Sequence, residues 1–287
     1  MRAPSHDWGN MRKRQVFAAV AVALTLAGCG ARPESSSTTN DPTTNDSNVF
    51  GNAQELVRAA TDQTAKAKSA KFTAESSLAG QAVTAQGQAR FDGADTVMDM
   101  TMTVGPVREE MRYVDRALYV QLPEQYRARM TSGKPWGKVP ADSAVAKQIG
   151  AQQAQQNDPS QALQQIQQAG TITRSAHETL DGQPVTHYWI DVDFAKGFDK
   201  FKNTGLPEAQ LNEIAAKVKT IPVELWLGSD KLPVQITEDM SALMKAAGAP
   251  ATAQDMKITM KYSDWGTPVD VQAPPANQVG ELKLPSN

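Results

Sequence analysis

An α+β fold built on one large antiparallel sheet, with helices on one side, is predicted by three observations. Hydrophobic residues recur with a period close to two over most of the chain from Lys71 onward, in short runs separated by tight-turn signals. Runs with a helical period are few, and they fall before and between two groups of such strands. No strand–helix–strand alternation of the kind that builds a parallel sheet occurs. With 287 residues, 40% of them hydrophobic, the chain has room for one large domain or two small ones and a sizeable core.

The first element is not part of that fold. Arg12-Lys13-Arg14 precede an apolar run from Val16 to Leu26, the architecture of a secretory leader and too short for the roughly 20 residues of a membrane-spanning helix. Met1 and Met11 are both candidate starts. The only cysteine, Cys29, closes this segment, so an intrachain disulfide, a Cys-ligated zinc site and an iron–sulfur cluster are excluded. Residues 31–48 are mostly Ser, Thr, Asn, Asp and Pro without a large apolar residue, a composition expected to form a flexible tether. The folded domain is expected over residues 49–280.

Within it, Asn52-Ala53-Gln54-Glu55 carries the N-cap and N3 pattern of a capping box, and Leu56, Val57, Ala60, Thr64 and Ala67 follow at helical spacing. A helix to about Lys68 is expected. Turn signals at Ala79-Gly80, Asp92-Gly93, Gly105-Pro106 and Asp115-Arg116 then divide residues 71–122 into an antiparallel meander. Its clearest strand puts Met98, Met100, Met102 and Val104 on one face and Asp99, Thr101 and Thr103 on the other, which predicts one buried and one wet face. Ten glutamines fall between Gln148 and Gln168. Asp158 as N-cap with Pro159 behind it starts a helix whose apolar stripe is Ala162, Leu163, Ile166 and Ala169, with glutamines on its solvated faces. Strands return at 171–180 and 184–193 around Asp181-Gly182, a helix follows at 208–218, a hairpin pairs 221–227 with 233–239, and a last strand spans 256–263. The total is about ten strands.

Charge and motifs narrow the function classes. A formal charge of −2, from 29 basic and 31 acidic residues, provides no basic field for nucleic acid. Loss of residues 1–28 would remove four basic residues (Arg2, Arg12, Lys13, Arg14) and one acidic residue (Asp7), leaving −5. No G-x-S-x-G, G-x-x-x-x-G-K-[ST], G-x-G-x-x-G or H-E-x-x-H occurs. His177 and His187 flank the Asp181-Gly182 turn. If that turn has two residues, position 177 pairs with 186 and 187 with 176, so the imidazoles point to opposite faces and share no metal ion. The plain expectation is two separate, partly exposed strand histidines. Asp191 with Asp193, and Glu109 with Glu110, are carboxylate pairs whose simplest reading is a solvated strand face. No catalytic residue, metal or cofactor is therefore assigned. The methionine row, with Met111 and Tyr113 on the next strand, fits either a cavity for an acyl chain or an ordinary core under a helix, since thioether side chains adapt to irregular or changing neighbours.

Two resemblances extend this reading. Leu26-Ala27-Gly28-Cys29 resembles the lipobox of bacterial lipoproteins, which implies cleavage after Gly28, a diacylglycerol on the Cys29 thiol, acylation of the new amino terminus, and an extracytoplasmic location on the cell membrane. The run Tyr262-Ser263-Asp264-Trp265-Gly266-Thr267-Pro268-Val269 with Ala273-Pro274-Pro275 resembles the ending of the actinobacterial LppX/LprG-type lipoproteins. So do Val223-Glu224-Leu225-Trp226-Leu227, Leu232-Pro233-Val234, Tyr119-Val120 and Trp136-Gly137-Lys138-Val139. That resemblance spans roughly residues 50–275. It implies a bent, half-barrel LolA/LolB-like sheet with helices across its concave side and a hydrophobic cavity between, and a protein that binds acylated lipids or glycolipids and moves them through the envelope. Met98, Met100, Met102, Val104, Met111 and Tyr113 then become cavity-lining candidates. The alternative is a non-catalytic interaction or sensor lipoprotein with a filled core that binds a partner protein or wall polymer.

Overall fold

In a computed structural model, which describes residues 49–78, 80–92, 96–139, 158–196 and 208–283, one open sheet of twelve strands organises the chain. The leader, Cys29, the tether and the Gln-rich residues before Asp158 lie outside the described residues. All of these described residues fall in one compact unit, Asp46–Asn287. In chain order they form α1 (Ala53–Ala67), β1 (Ser69–Leu78), β2 (Gln81–Arg90), β3 (Val97–Val104), β4 (Val107–Val114), β5 (Ala117–Gln121), α2 (Glu124–Met130) and β6 (Trp136–Val139). Then follow α3 (Pro159–Ala169), β7 (Gly170–Leu180), β8 (Gln183–Asp193), α4 (Glu208–Lys217), β9 (Thr220–Gly228), β10 (Pro233–Asp239), α5 (Ser241–Ala246), β11 (Lys257–Ser263) and β12 (Val279–Glu281).

The strand order is β12-β6-β5-β4-β3-β2-β1-β11-β10-β9-β8-β7. Two meanders, β1 to β6 and β7 to β11, meet where β1 pairs with β11. Every pairing is antiparallel except β12 with β6. The α+β class and the large antiparallel sheet stand as expected, with twelve strands instead of about ten. The two extra strands, β6 and β12, have four and three residues, too few for a period-two pattern to register; β6 is defined by its pairing with β5 and β12, and β12 by its pairing with β6.

Local chemistry explains the boundaries that the sequence signals. The Asn52 Oδ1 accepts the Glu55 N–H at 2.9 Å to cap α1. Asp158 Oδ1 accepts from the Ser160 N–H at 2.8 Å, with Pro159 in the first turn of α3. Asp181 and Gly182 both have positive φ, 50° and 82°, the two-residue turn whose twist matches its flanking strands. The register between β7 and β8 follows from that turn, with His177 opposite Thr186 and His187 opposite Ala176.

One face of the sheet, called inner here, packs against α1, α3 and α4. Leu56, Val57 and Ala60 of α1, Leu163 and Ile166 of α3 and Ile214 of α4 join Phe72, Met98, Tyr188, Ile190, Val223, Leu225 and Ile236 in the main core. The outer face carries a second, smaller core. The segment between β11 and β12 lays Val269 and Val271 on Val97, Val114, Tyr119 and Trp136. The Ser69 Oγ donates to Thr267 O at 2.7 Å, the Gly266 N–H to Ser69 O at 2.9 Å and the Trp265 indole N–H to Pro233 O at 2.9 Å. Gly266 holds φ at 76°, which a side chain would strain. The C-terminal motif therefore serves as a strap that anchors β12 beside β6.

Candidate functional site

The inner face of the first meander holds the residues that the sequence singles out. Antiparallel register sets Met98 opposite Ala89 on one side and Tyr113 on the other, Met100 opposite Gly87 and Met111, and Met102 opposite Ala85 and Glu109. Residues directly opposite in an antiparallel pair share a face, so Met98, Met100, Met102, Met111 and Tyr113 belong to one surface. The structure thus brings the predicted row together. Val104 lies at its end beside Val107.

Two features give this strip its form. Opposite Met102, Met100 and Met98 the inner face of β2 carries Ala85, Gly87 and Ala89, so a lane of small residues runs beside the methionines. Phe72 of β1 closes over part of it, because a Cβ on Gly87 would stand 2.8 Å from Phe72 Cζ and 3.0 Å from Met100 Cα. The strip also grades from dry to wet. Met98, Met100 and Met111 are buried in the main core, Met102, Tyr113 and Val120 pack against it half-buried, and Val107 at the β3–β4 turn is 53% exposed. Glu109 is the carboxyl in this row, and burial pushes its pKa up. The row is accordingly an apolar surface that is filled at one end and opens toward the Gly105-Pro106 turn.

Two recesses elsewhere on the sheet are of a different character. One of about 600 Å³ lies at the ends of β1, β10 and β11 and is lined by Glu75, Ser77, Asp239, Lys245, Asp255 and Lys257. A second of about 230 Å³ is walled by the outward threonines 73, 84, 101 and 103 with Arg108. Polar and charged side chains dominate both linings, which does not suit an alkyl chain.

His187 departs from expectation. The two imidazoles do point to opposite faces, and His177 is exposed as expected, but His187 is only 3% exposed. On the outer face its ring lies 3.5 Å from that of Trp189 and 3.9 Å from that of Trp226, centroid to centroid. Its Nδ1 is 3.1 Å from Glu178 Oε1, and its Nε2 is 2.9 Å from Glu224 Oε2, a close contact without hydrogen-bond alignment. The Trp226 indole N–H donates to Glu178 Oε2 at 3.4 Å, and the Arg174 guanidinium covers Trp189 at 3.9 Å. Trp189, two residues along β8, and Trp226, brought across from β9 by strand pairing, exclude water from it. The cluster staples β7, β8 and β9 together on the outside. Asp193, read as half of a carboxylate pair, accepts the Lys196 N–H at 3.1 Å and closes a turn. Among the described residues no three His, Cys, Asp or Glu side chains converge to hold a metal ion.

The hydrogen bond from His187, aided by that from Trp226, holds the Glu178 carboxyl below its ordinary value of 4.5 against the opposing effect of burial. A carboxyl lowered in this way stabilises the fold above its ordinary value and loses that contribution as pH falls through the lowered one. The melting temperature of Glu178→Gln is therefore expected to lie below that of the parent at pH 7 and to converge with it as the pH falls through the lowered value. Thermal melts at a series of pH values check this, and a gap that persists into acid contradicts it.

No family model matches the chain, and no curated protein matches it in sequence. Solved structures similar to it include the lipoprotein LppX of Mycobacterium tuberculosis, 15% identical over 77% of this chain and 98% of that one, with a TM-score of 0.46. LprF of Mycobacterium bovis is 14% identical over 77% of this chain and 96% of that one, with a TM-score of 0.47. MucB in complex with MucA is 13% identical over 81% of this chain and 62% of that one, with a TM-score of 0.37. Among the described residues no helix is long and apolar enough to cross a membrane.

Proposed function

We propose that this chain is a lipid-anchored, extracytoplasmic protein that binds the acyl chains of a lipid or glycolipid along the inner face of its first meander, shields them from water and passes them on within the envelope. The observation that carries the reading is the methionine row beside the Ala85-Gly87-Ala89 lane, graded from core to surface. Thioether side chains change rotamer at low cost, so a chain entering at the Val104–Val107 end displaces them inward without breaking the sheet. About a dozen buried methylenes, at roughly 0.8 kcal/mol each, contribute about 10 kcal/mol before the costs of ordering. Apolar burial of this kind gives affinity with little selectivity among chains. The lipobox resemblance at Cys29 supplies the anchor, and no catalytic role enters the reading.

The near-complete burial of Met98 and Met100 favours a second reading, an interaction or sensor lipoprotein whose core is already full. One experiment separates the two. A soluble Cys29→Ala form lacking residues 1–28 is purified from a related host and its extractable lipid identified by mass spectrometry. The lipid-binding reading expects co-purifying acyl lipid, lost in Met100→Trp with the melting temperature almost unchanged. Absence of lipid from the parent, with a large loss of stability in Met100→Trp, supports the filled core instead.

A further inference from the structure

The sheet ends on a long strand. Among the described residues no strand pairs with the outer edge of β7, which at eleven residues presents a row of backbone donors and acceptors. We propose that this edge pairs with the same edge of a second copy of the chain, antiparallel and centred on Ala176, to form a symmetric dimer with one continuous sheet.

Charge complementarity selects the second copy as the occupant. On β7 the exposed Arg174 and Glu178 lie four residues apart on the outer face, two positions either side of Ala176. A two-fold axis through Ala176 sets Arg174 opposite Glu178 of the other copy and Glu178 opposite its Arg174, two ion pairs from one strand. On the inner face the same axis sets Ser175 opposite His177, and the irregularity at Thr173 ends the match beyond Arg174. The neighbouring symmetric registers fail. Centring on Arg174 or Glu178 puts like charges opposite each other, and centring on Ser175 or His177 leaves both charges without an opposite partner. The shift in register between β7 and β8 falls between Ile172 and Arg174, outside the stretch 174–178 that carries the charges. Arg174 already rests on Trp189 and Glu178 on His187 and Trp226, so both groups are held before a partner arrives. A carboxylate has acceptor capacity left after those two contacts.

The test uses the full chain with Cys29→Ser, which removes the only cysteine. Sedimentation over a range of concentrations is expected to show a dimer. Arg174→Glu and Glu178→Arg each weaken self-association at least tenfold, and the double exchange Arg174→Glu with Glu178→Arg restores it. Because Glu178→Arg also disturbs the contact with His187, Ala176→Cys supplies a variant that leaves both charges in place. Under mild oxidation it is expected to cross-link into a dimer through the paired 176 positions. A chain that remains monomeric, including one whose β7 edge takes an extended segment of another protein, overturns the proposal. So does a dimer indifferent to the charge exchange, or an Ala176→Cys variant that does not cross-link.

Discussion

Tyr188→Ala is expected to lower stability by about 3–5 kcal/mol, the range for removal of a large buried aromatic. Tyr188 is fully buried at the centre of β8 on the inner face, in the main core. Its hydroxyl oxygen accepts the Phe50 N–H at 3.2 Å, and the Phe50 ring lies 6.5 Å from its own, so the side chain also ties the start of the domain to the sheet. Burial pushes the phenol pKa up, which keeps it neutral throughout the useful pH range. At about 2–4 °C per kcal/mol for a domain of this size, the melting temperature should fall by roughly 6–20 °C. Tyr188→Phe keeps the ring and gives up the hydroxyl, so about 1 kcal/mol is expected. Circular-dichroism melts of the two variants check the pair. Equal losses would place the importance of Tyr188 in its hydroxyl and not in its packing.

Cys29→Ala in a form lacking residues 1–28 is expected to be recovered almost entirely in the soluble fraction, where the parent is in the membrane, while its melting temperature is unchanged. Under the lipid-anchored reading, the anchor is a diacylglycerol on the thiol plus an acyl chain on the amino group. At about 0.8 kcal/mol per buried methylene, two or more chains hold a protein stably where one is marginal. On the same reading, loss of residues 1–28 leaves a charge of −5, which gives no electrostatic attraction to anionic lipids in its place. Fractionation followed by mass spectrometry of the N-terminal peptide reads the result. A Cys29→Ala protein that stays in the membrane fraction would overturn the anchor.

Particular residues mark what was legible in the chain. Asn52, Asp158, Pro159 and the Asp181-Gly182 turn act within a few residues of themselves, and each does in the structure what its type and spacing predict. The methionine row was legible for the same reason, since alternation along one strand decides which side chains share a face. The strands β6 and β12 were not, because their pairing joins residues 136–138 to 279–281. The helices α2 and α5 are six or seven residues long and carry no side-chain cap, so no local signal announces them. His187 was placed on the correct face and register but was expected to be partly exposed. Its burial depends on Trp226 and Glu224, nearly forty residues away, brought beside it by the pairing of β8 with β9.

By itself the sequence determined the fold class, the turn-defined registers and the apolar row, because backbone preferences and side-chain alternation are local. It also placed the only cysteine at the end of a leader-like segment. Tertiary structure alone decided the order of the strands, with β1 against β11 at the centre and β7 left at an edge. It likewise set the strap that carries β12 to β6 and the covering of His187 by Trp226 and Glu224 of β9. Each of these rests on contacts between residues distant along the chain, and such contacts form only where the combined burial and pairing outweigh the entropy of closing the loops between them.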